Sequence, residues 1–183
     1  MQITLKSFRE TNEDEAHYFL ERICEERNNP ETKKVLRSYR DTVMCLQKNF
    51  YNKIIQDDTC EYYFITRESP GISNIEEILG YCGIDKIHPV NKTAELSILI
   101  FKDFQEQGIG KESVRQLISK AFDEFNLNLI FVETYDMDTR LLFFQSCGFN
   151  LEGRLKKRKF TGGEYFDSFM LSMERGGYEN NNP

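Results

Sequence analysis

The most regular hydrophobic pattern of the chain lies between residues 94 and 125. Residues 94–101 form a β-rich run, and after a short polar turn the apolar residues recur at three- and four-residue steps. These apolar residues are Val114, Leu117, Ile118, Ala121, Phe122 and Phe125. Their spacing places them on one face of a helix, so the segment predicts a strand, a turn and an amphipathic helix.

Shorter patterns predict the remaining elements. Runs rich in β-branched and aromatic residues predict further strands at 3–6, 61–67, 77–87, 129–135, 151–160 and 164–173. Three- and four-residue periodicity predicts helical regions at 12–27, 35–55 and 139–146. Gly162 and Gly163 predict the last hairpin turn, and residues 68–74 an exposed connection. The pattern indicates one mixed α/β domain at residues 1–175, followed by a disordered polar tail at 176–183.

Composition narrows the class of protein. The chain has 183 residues, of which 39% are hydrophobic and 30% charged, as is typical of a single globular domain. No apolar run approaches the roughly 18–20 residues that cross a bilayer, and the first residues lead directly into a strand pattern. We therefore expect a cytoplasmic protein without a signal peptide or a membrane anchor.

The cysteines and histidines favour neither a metal centre nor a hydrolase. The cysteines are scattered without a C-x-x-C pair, at positions Cys24, Cys45, Cys60, Cys82 and Cys147. This arrangement predicts buried reduced thiols and neither a zinc site nor a disulfide framework. His17 and His88 are the only imidazoles, and no G-x-S-x-G sequence is present, so a serine hydrolase has no support.

The turn before the amphipathic helix has a chemical use. Gly108 and Gly110 stand where the first helical amides lack intrahelical partners and where the helix dipole favours negative charge. Glycines at that position let a phosphate approach the backbone, although a plain strand-to-helix turn would also use them. A nucleotide P-loop is excluded because Glu112 follows Lys111, and a Rossmann fingerprint is excluded because a third glycine is missing.

Gln105, Gly108 and Gly110 match the pattern [QR]-x-x-G-x-[GA]. Here the chain resembles the GNAT-type N-acetyltransferases, in the branch of ribosomal-protein and polyamine acetyltransferases. The resemblance extends over residues 79–84, 147–149, 152–155 and 163–167, in the order and spacing of that branch. It implies a single-domain α/β fold with a mixed, mostly antiparallel sheet of about seven strands flanked by helices.

The resemblance also implies a donor substrate and its contacts. The donor is acetyl-coenzyme A, and the acceptor is an amine. The pantetheine arm lies along the main chain of Ile98, Leu99 and Ile100, beside the side chain at position 144. The implied pyrophosphate site is the turn formed by Gln105, Glu106, Gln107, Gly108, Ile109, Gly110 and Lys111.

The chain departs from the family at three implied positions. The tyrosine that usually protonates the departing thiolate is replaced by Phe144, which has no proton to donate. The usual cofactor-binding asparagine is Met137, and the glycine after Gln105 is Glu106.

A substitute proton donor and a proton acceptor are therefore needed. Tyr135 or a water molecule can supply the proton to the thiolate. The candidate proton acceptors are Glu95 and then Glu133, and the alternative for both is a surface salt bridge.

Charged segments give weaker indications about the acceptor. The acidic helix at residues 12–27 could meet a cationic substrate, but a solvated surface explains it more simply. The basic run at residues 154–159 predicts an edge strand protected by lysines, and contact with a phosphorylated acceptor or with the adenosine phosphates is the alternative. A net charge of −6 argues against nucleic-acid binding.

These observations predict an enzyme that transfers acetyl from acetyl-coenzyme A to a primary amine by direct attack on the thioester. A polyamine, a protein N-terminus, another small amine and an amino sugar remain open as acceptors, and so does a homo-oligomeric state. A catalytically silent acyl-coenzyme A-binding module is the alternative from another class, and Phe144 favours it.

Overall fold

The computed structural model describes residues 2–36, 41–68, 76–135 and 139–181. The strands are β1 (Thr4–Ser7), β2 (Glu61–Glu68), β3 (Glu76–His88), β4 (Thr93–Ile100), β5 (Leu129–Thr134), β6 (Asn150–Thr161) and β7 (Glu164–Glu174). The helices are α1 (Glu13–Asn28), α2 (Pro30–Val35), α3 (Met44–Ile54), α4 (Ile109–Ser119), α5 (Arg140–Ser146) and α6 (Arg175–Asn181). One π-helical turn, Lys120–Glu124, extends α4.

The strands form one sheet with the order β1-β2-β3-β4-β5-β7-β6. Every pairing is antiparallel except that of β4 with β5, which is parallel. The predicted seven-stranded, mostly antiparallel sheet is thereby confirmed. At the β6–β7 hairpin, Gly162 and Gly163 have φ angles of 60° and 86°, a conformation that glycine adopts without steric cost.

The parallel pairing at the centre of the sheet is short. Its register runs from Thr93 opposite Leu129 to Glu95 opposite Phe131 and ends there. Beyond this point β4 continues to Ile100, paired with β3 on its other side. The two central strands therefore diverge, and one edge of β4 faces an opening instead of a neighbouring strand.

Alternate residues of β4 enter two separate cores. Leu96 packs with α4 residues such as Val114 and Leu117 on one face of the sheet. Leu99 packs with α1 residues such as Phe19 on the other face. Successive side chains of a strand point to opposite faces of the sheet, so one face of β4 packs against α4 and the other against α1. The opening beside β4 therefore lies between an α4 face and an α1 face.

The predicted helix at residues 35–55 is wrong in its first part. Helix α2 begins at Pro30, where a proline is tolerated because the first amide needs no partner, and α3 begins only at Met44. The amide of Thr42 donates to Asn28 Oδ1 at 2.9 Å, and Asn28 Nδ2 donates to the Thr42 carbonyl at 2.8 Å. These tertiary bonds hold the chain extended before α3, against its helical pattern.

The predicted disordered tail is also corrected, since α6 covers most of it up to Asn181. The Tyr178 ring stacks on Phe122 with centroids 5.1 Å apart, and Arg175 Nε donates to the Leu127 carbonyl at 3.0 Å. These contacts anchor a segment whose composition alone indicates disorder. Residues 69–75, which hold most of the predicted connection between β2 and β3, lie outside the described part of the chain.

Candidate active site

A cleft of about 370 Å³ lies where β4 and β5 diverge. Both facing strand segments line it, residues 95–99 on one side and residues 132–135 on the other. Other lining residues come from α1, β2, β3 and α5, and they include Arg27, Tyr62, Tyr81, Asp85, Arg140 and Phe144. The cleft therefore joins elements that are far apart in the sequence.

The donor end of the site is the turn between β4 and α4. Gly108 precedes the helix with φ 80° and ψ −8°, a left-handed conformation, and among the described residues no side chain caps the helix N-terminus. The side chain of Ile109 is 1% exposed and anchors the first turn in the core. The predicted strand, glycine turn and helix are confirmed, and the uncapped amides of residues 108–111 fit an anionic group.

The glutamines of this turn shape the backbone. Gln105 Nε2 donates to the Ile100 carbonyl, and Gln107 Nε2 donates to the Asp103 carbonyl, each at 2.9 Å. Glu106 is exposed with φ 61°, and Lys111 is exposed in the first turn of α4. The side chains of Gln105 and Gln107 thus fold the turn, while the amides at the start of α4 remain available to a ligand.

Gly110 brings α4 close to its neighbours. A Cβ atom at this position would lie 3.4 Å from the Phe143 ring of α5 and 3.5 Å from Ile100 Cγ1 of β4. The absence of a side chain therefore lets the start of the helix pack against both elements. This contact places the uncapped amides beside the free edge of β4.

The carboxylates of Asp85, Glu95 and Glu133 line the cleft. The register pairs Glu95 with Asp85 of β3 and with Phe131 of β5, so that Glu133 shares the face of Glu95. Glu95 is 6% exposed and pairs with the ammonium group of Lys86. The structure thus brings both predicted proton acceptors into one cleft.

Glu133 has its own partners. Ser168 Oγ donates to Glu133 Oε1 at 2.6 Å, and Arg158 Nε lies 3.8 Å from the same oxygen. Its position on β5 is two residues beyond the last β4–β5 pair, where the strands have separated. Both Glu95 and Glu133 are therefore partly engaged, as the salt-bridge alternative expected, and both still line the cleft.

The sequence patterns did not identify hydroxyl-bearing residues of the cleft such as Tyr62, Tyr81 and Ser97. Ser97 Oγ donates to Tyr62 Oη at 3.5 Å, and Tyr62 Oη donates to Asp85 Oδ2 at 3.4 Å. Burial raises the pKa of Tyr62, so its phenol keeps its proton at neutral pH. Gly83 makes room for this ring, since a Cβ atom there would lie 2.5 Å from Tyr62 Cδ1.

Phe144 lines the cleft at the position where the resemblance implies a tyrosine. It is 8% exposed, and its ring packs edge-on against Phe143 and Phe149, with centroids 5.1 and 5.7 Å away. Tyr135 lines the same cleft, and the Lys159 ammonium lies 5.2 Å from its ring centroid. Met137 lies outside the described residues.

The basic run occupies the edge of the sheet as predicted, since β6 is the last strand. One of its lysines is not a surface residue. Lys159 is 5% exposed, and its Nζ donates to the Lys34 carbonyl at the end of α2 at 2.8 Å. Burial lowers the pKa of Lys159. This residue links the β6–β7 hairpin to the helical side of the cleft.

The divergent strand edge and the uncapped helix N-terminus fit a ligand with an extended arm and an anionic group, and carboxylates line the adjoining cleft. A family model described as "Acetyltransferase (GNAT) domain" matches residues 3–150, which is most of the chain. The chain belongs to this family of acetyltransferases. The predicted GNAT resemblance is confirmed.

Curated relatives point to the same activity. The chain is 27% identical over 108 residues to an uncharacterized N-acetyltransferase, p20, of Bacillus licheniformis, covering 58% of this chain and 61% of that protein. It is 23% identical over 134 residues to spermidine N(1)-acetyltransferase of Vibrio cholerae, covering 73% and 74%. Both relatives carry the name N-acetyltransferase, and the match to p20 spans about three fifths of that protein's length.

Solved structures share the fold. The structure of spermidine N-acetyltransferase from Vibrio cholerae in complex with CoA and spermine has a TM-score of 0.84 at 20% identity, covering 98% of this chain and 99% of that one. A dodecameric structure of spermidine N-acetyltransferase from Vibrio cholerae has a TM-score of 0.77, also at 20% identity, covering 100% of this chain and 99% of that one.

Within the described residues, no helix combines the length and the hydropathy that a membrane crossing requires.

Proposed function

We propose that this protein transfers the acetyl group of acetyl-coenzyme A to the primary amine of a small molecule bound in the β4–β5 cleft. The observation that carries the proposal is the early end of the β4–β5 register at Glu95 and Phe131. It leaves a strand edge for the donor and opens a cleft lined by carboxylates for the amine. Family membership supports a working enzyme over the silent binding module.

The donor side of this proposal uses main-chain groups. Ile98, Leu99 and Ile100 offer the backbone of the free strand edge to the pantetheine arm, in the manner of an added strand. The amides of residues 107–111, at the glycine turn and the start of α4, receive the pyrophosphate. Phe144 supplies an apolar contact beside the reacting thioester.

The acceptor side supplies the proton transfers. The amine nitrogen attacks the thioester carbonyl, the new C–N bond forms, and the C–S bond breaks. Glu95 or Glu133, directly or through water, accepts the proton that the amine must lose. The departing thiolate takes a proton from water or from the hydroxyl of Tyr135, which lines the cleft.

The acceptor is proposed only as a small primary amine. Spermidine, the substrate in the name of the Vibrio relative, and amino sugars are members of this class, and a protein N-terminus is the alternative acceptor outside it. Self-association is also part of the proposal, because one solved neighbour is described as dodecameric. Light scattering of the purified protein would measure that assembly state.

The proposed activity is tested by thiol release from acetyl-coenzyme A. A panel of polyamines, amino acids, amino alcohols, peptides with free N-termini and amino sugars would be compared with the hydrolysis background. We expect release above background with at least one small amine, together with the N-acetyl product by mass spectrometry. Coenzyme A binding without release in the presence of any amine would contradict the proposal.

A further inference from the structure

Arg27 is a charged residue of the cleft to which the proposed acetyl transfer assigns no role. It lies in the last turn of α1, and its guanidinium lines the cleft opposite the strand edges. Arg27 Nη1 donates to Tyr81 Oη at 2.7 Å. Its Nε is buried and has no hydrogen-bond partner among the described residues. A buried donor without a partner is costly, and a bound acceptor atom would remove that cost.

The carboxylates of the same cleft, in contrast to Arg27 Nε, already have hydrogen-bond or ion-pair partners. Glu95 is paired with Lys86, and Glu133 accepts from Ser168. Asp85 Oδ1 accepts from the amide of Lys86 at 2.8 Å. A polycationic ligand would therefore compete with internal partners for each carboxylate. An anionic ligand would instead meet a guanidinium whose charge no described carboxylate balances.

Tyr81 adds a second donor beside Arg27. Its oxygen accepts from Arg27, so its own hydroxyl proton remains to be donated. Tyr81 is 7% exposed and stands on β3 directly opposite Leu99 of β4. The guanidinium and the phenol thus lie on the α1 face of the sheet, and Tyr81 is four residues along β3 from Asp85, the partner of Glu95.

We propose that the acceptor carries an anionic oxygen group, a carboxylate or a phosphate, a short distance from its primary amine. Arg27 and Tyr81 bind the anionic group, and this contact directs the amine toward Glu95, Glu133 and the thioester. Arg27 is thus a specificity-determining residue of the acceptor site. The inference rests on the proposed acetyl transfer and names the substrate class of that same site.

The test compares matched acceptors that differ in the anionic group alone. Thiol release would be measured with β-alanine and with 3-aminopropyl phosphate, each against 3-aminopropanol, in which an uncharged hydroxyl group replaces the anionic group, and spermidine would represent the polycations. We expect kcat/KM to be about 10–100-fold higher for one of the anionic acceptors than for the amino alcohol, mainly through KM, as a charged hydrogen bond implies. Comparing β-alanine with 3-aminopropyl phosphate shows whether the site prefers a carboxylate or a phosphate.

Variants identify the residue responsible. Arg27→Met should reduce the ratio between the anionic acceptor and the amino alcohol to near unity, and Tyr81→Phe should reduce it partly. Arg22→Met is the matched control, since Arg22 is on the same helix but pairs with Glu25 at the surface. Coenzyme A affinity by calorimetry would show that each variant is folded.

The outcomes separate the two proposals. An equal or higher kcat/KM for 3-aminopropanol or spermidine in the native protein would overturn the anionic acceptor and leave acetyl transfer intact. An unchanged ratio in folded Arg27→Met would overturn the role of Arg27. Absence of thiol release with every amine, with coenzyme A still bound, would overturn the acetyl transfer and with it this inference.

Discussion

The two sides of the cleft recognise their ligands by different means. The donor side offers main-chain groups of β4 and of the turn before α4, a single stretch of the chain. The acceptor side offers side chains from α1, β2, β3, β4 and β5. Donor binding therefore depends on backbone geometry, whereas acceptor binding and proton transfer depend on individual side chains. Substitutions should therefore separate the two functions.

The largest expected effect comes from the proton acceptors. Glu95→Gln and Glu133→Gln each keep the side-chain shape, and the one that removes the catalytic base should lower kcat by about 10²–10⁴-fold. Coenzyme A affinity should not change, because its contacts are main-chain groups. In the native protein the rate should rise with pH, because a higher pH increases the fraction of amine in its neutral, nucleophilic form.

Steady-state rates across the pH range, with calorimetry for coenzyme A, would check this prediction. Glu124→Gln is the matched control, because it also removes an ion pair with a lysine, Lys120, but away from the cleft. Native rates in both glutamine variants at every pH would remove these carboxylates from the mechanism.

On the acceptor side, Gly83→Ala is expected to have a smaller effect, which is a loss of stability. The new Cβ atom would lie 2.5 Å from the Tyr62 ring, so the buried ring must move away from Ser97 and Asp85. Overpacking of this kind costs about 1–3 kcal/mol of unfolding free energy, which chemical denaturation would measure. Gly153→Ala is the control, because a Cβ atom there meets nothing within 4 Å. Equal stability of the two variants would show that Gly83 does not limit the Tyr62 ring.

The smallest expected effect is that of Phe144→Tyr on turnover. The substitution adds a hydroxyl to a ring that lines the cleft while nearly keeping its volume, so turnover should stay the same or rise by up to about 10-fold. Phe143→Tyr, on the neighbouring residue that packs against Gly110, should leave turnover unchanged. A fall in kcat for Phe144→Tyr without loss of stability would contradict the expectation that a hydroxyl at this position is neutral or helps to protonate the thiolate.

The contrast between the two sides also explains what the sequence could predict. The donor side is contiguous, so the β-rich run, Gly108, Gly110 and the helical periodicity of α4 are visible in one segment. Local patterns likewise predict the strands, since each strand forms from its own run of residues. Most of the fold and the whole donor turn were therefore predictable.

The acceptor side was predicted only in part. Glu95 and Glu133 were identified through the family, but Arg27, Tyr62 and Tyr81 meet only through the β2–β3–β4 register and the docking of α1. Such long-range pairing has no signal in a single sequence. Tertiary contacts also explain two local mispredictions. A hydrogen bond of Thr42 holds an extended segment where the pattern predicts helix, and the Tyr178 ring anchors α6 where the composition predicts disorder.

The central claim is that the main chain at Gly108 binds the donor. Calorimetry of coenzyme A with Gly108→Asp tests it most directly, with Gly108→Ala as the control for the left-handed backbone, since a Cβ atom at this position meets no other atom within 4 Å. Aspartate places a negative charge at the helix N-terminus against the pyrophosphate. We predict binding that is weaker by up to about 30-fold, from an interaction of up to about 2 kcal/mol at a helix terminus, and a smaller loss for alanine. Unchanged affinity in folded Gly108→Asp would contradict the account.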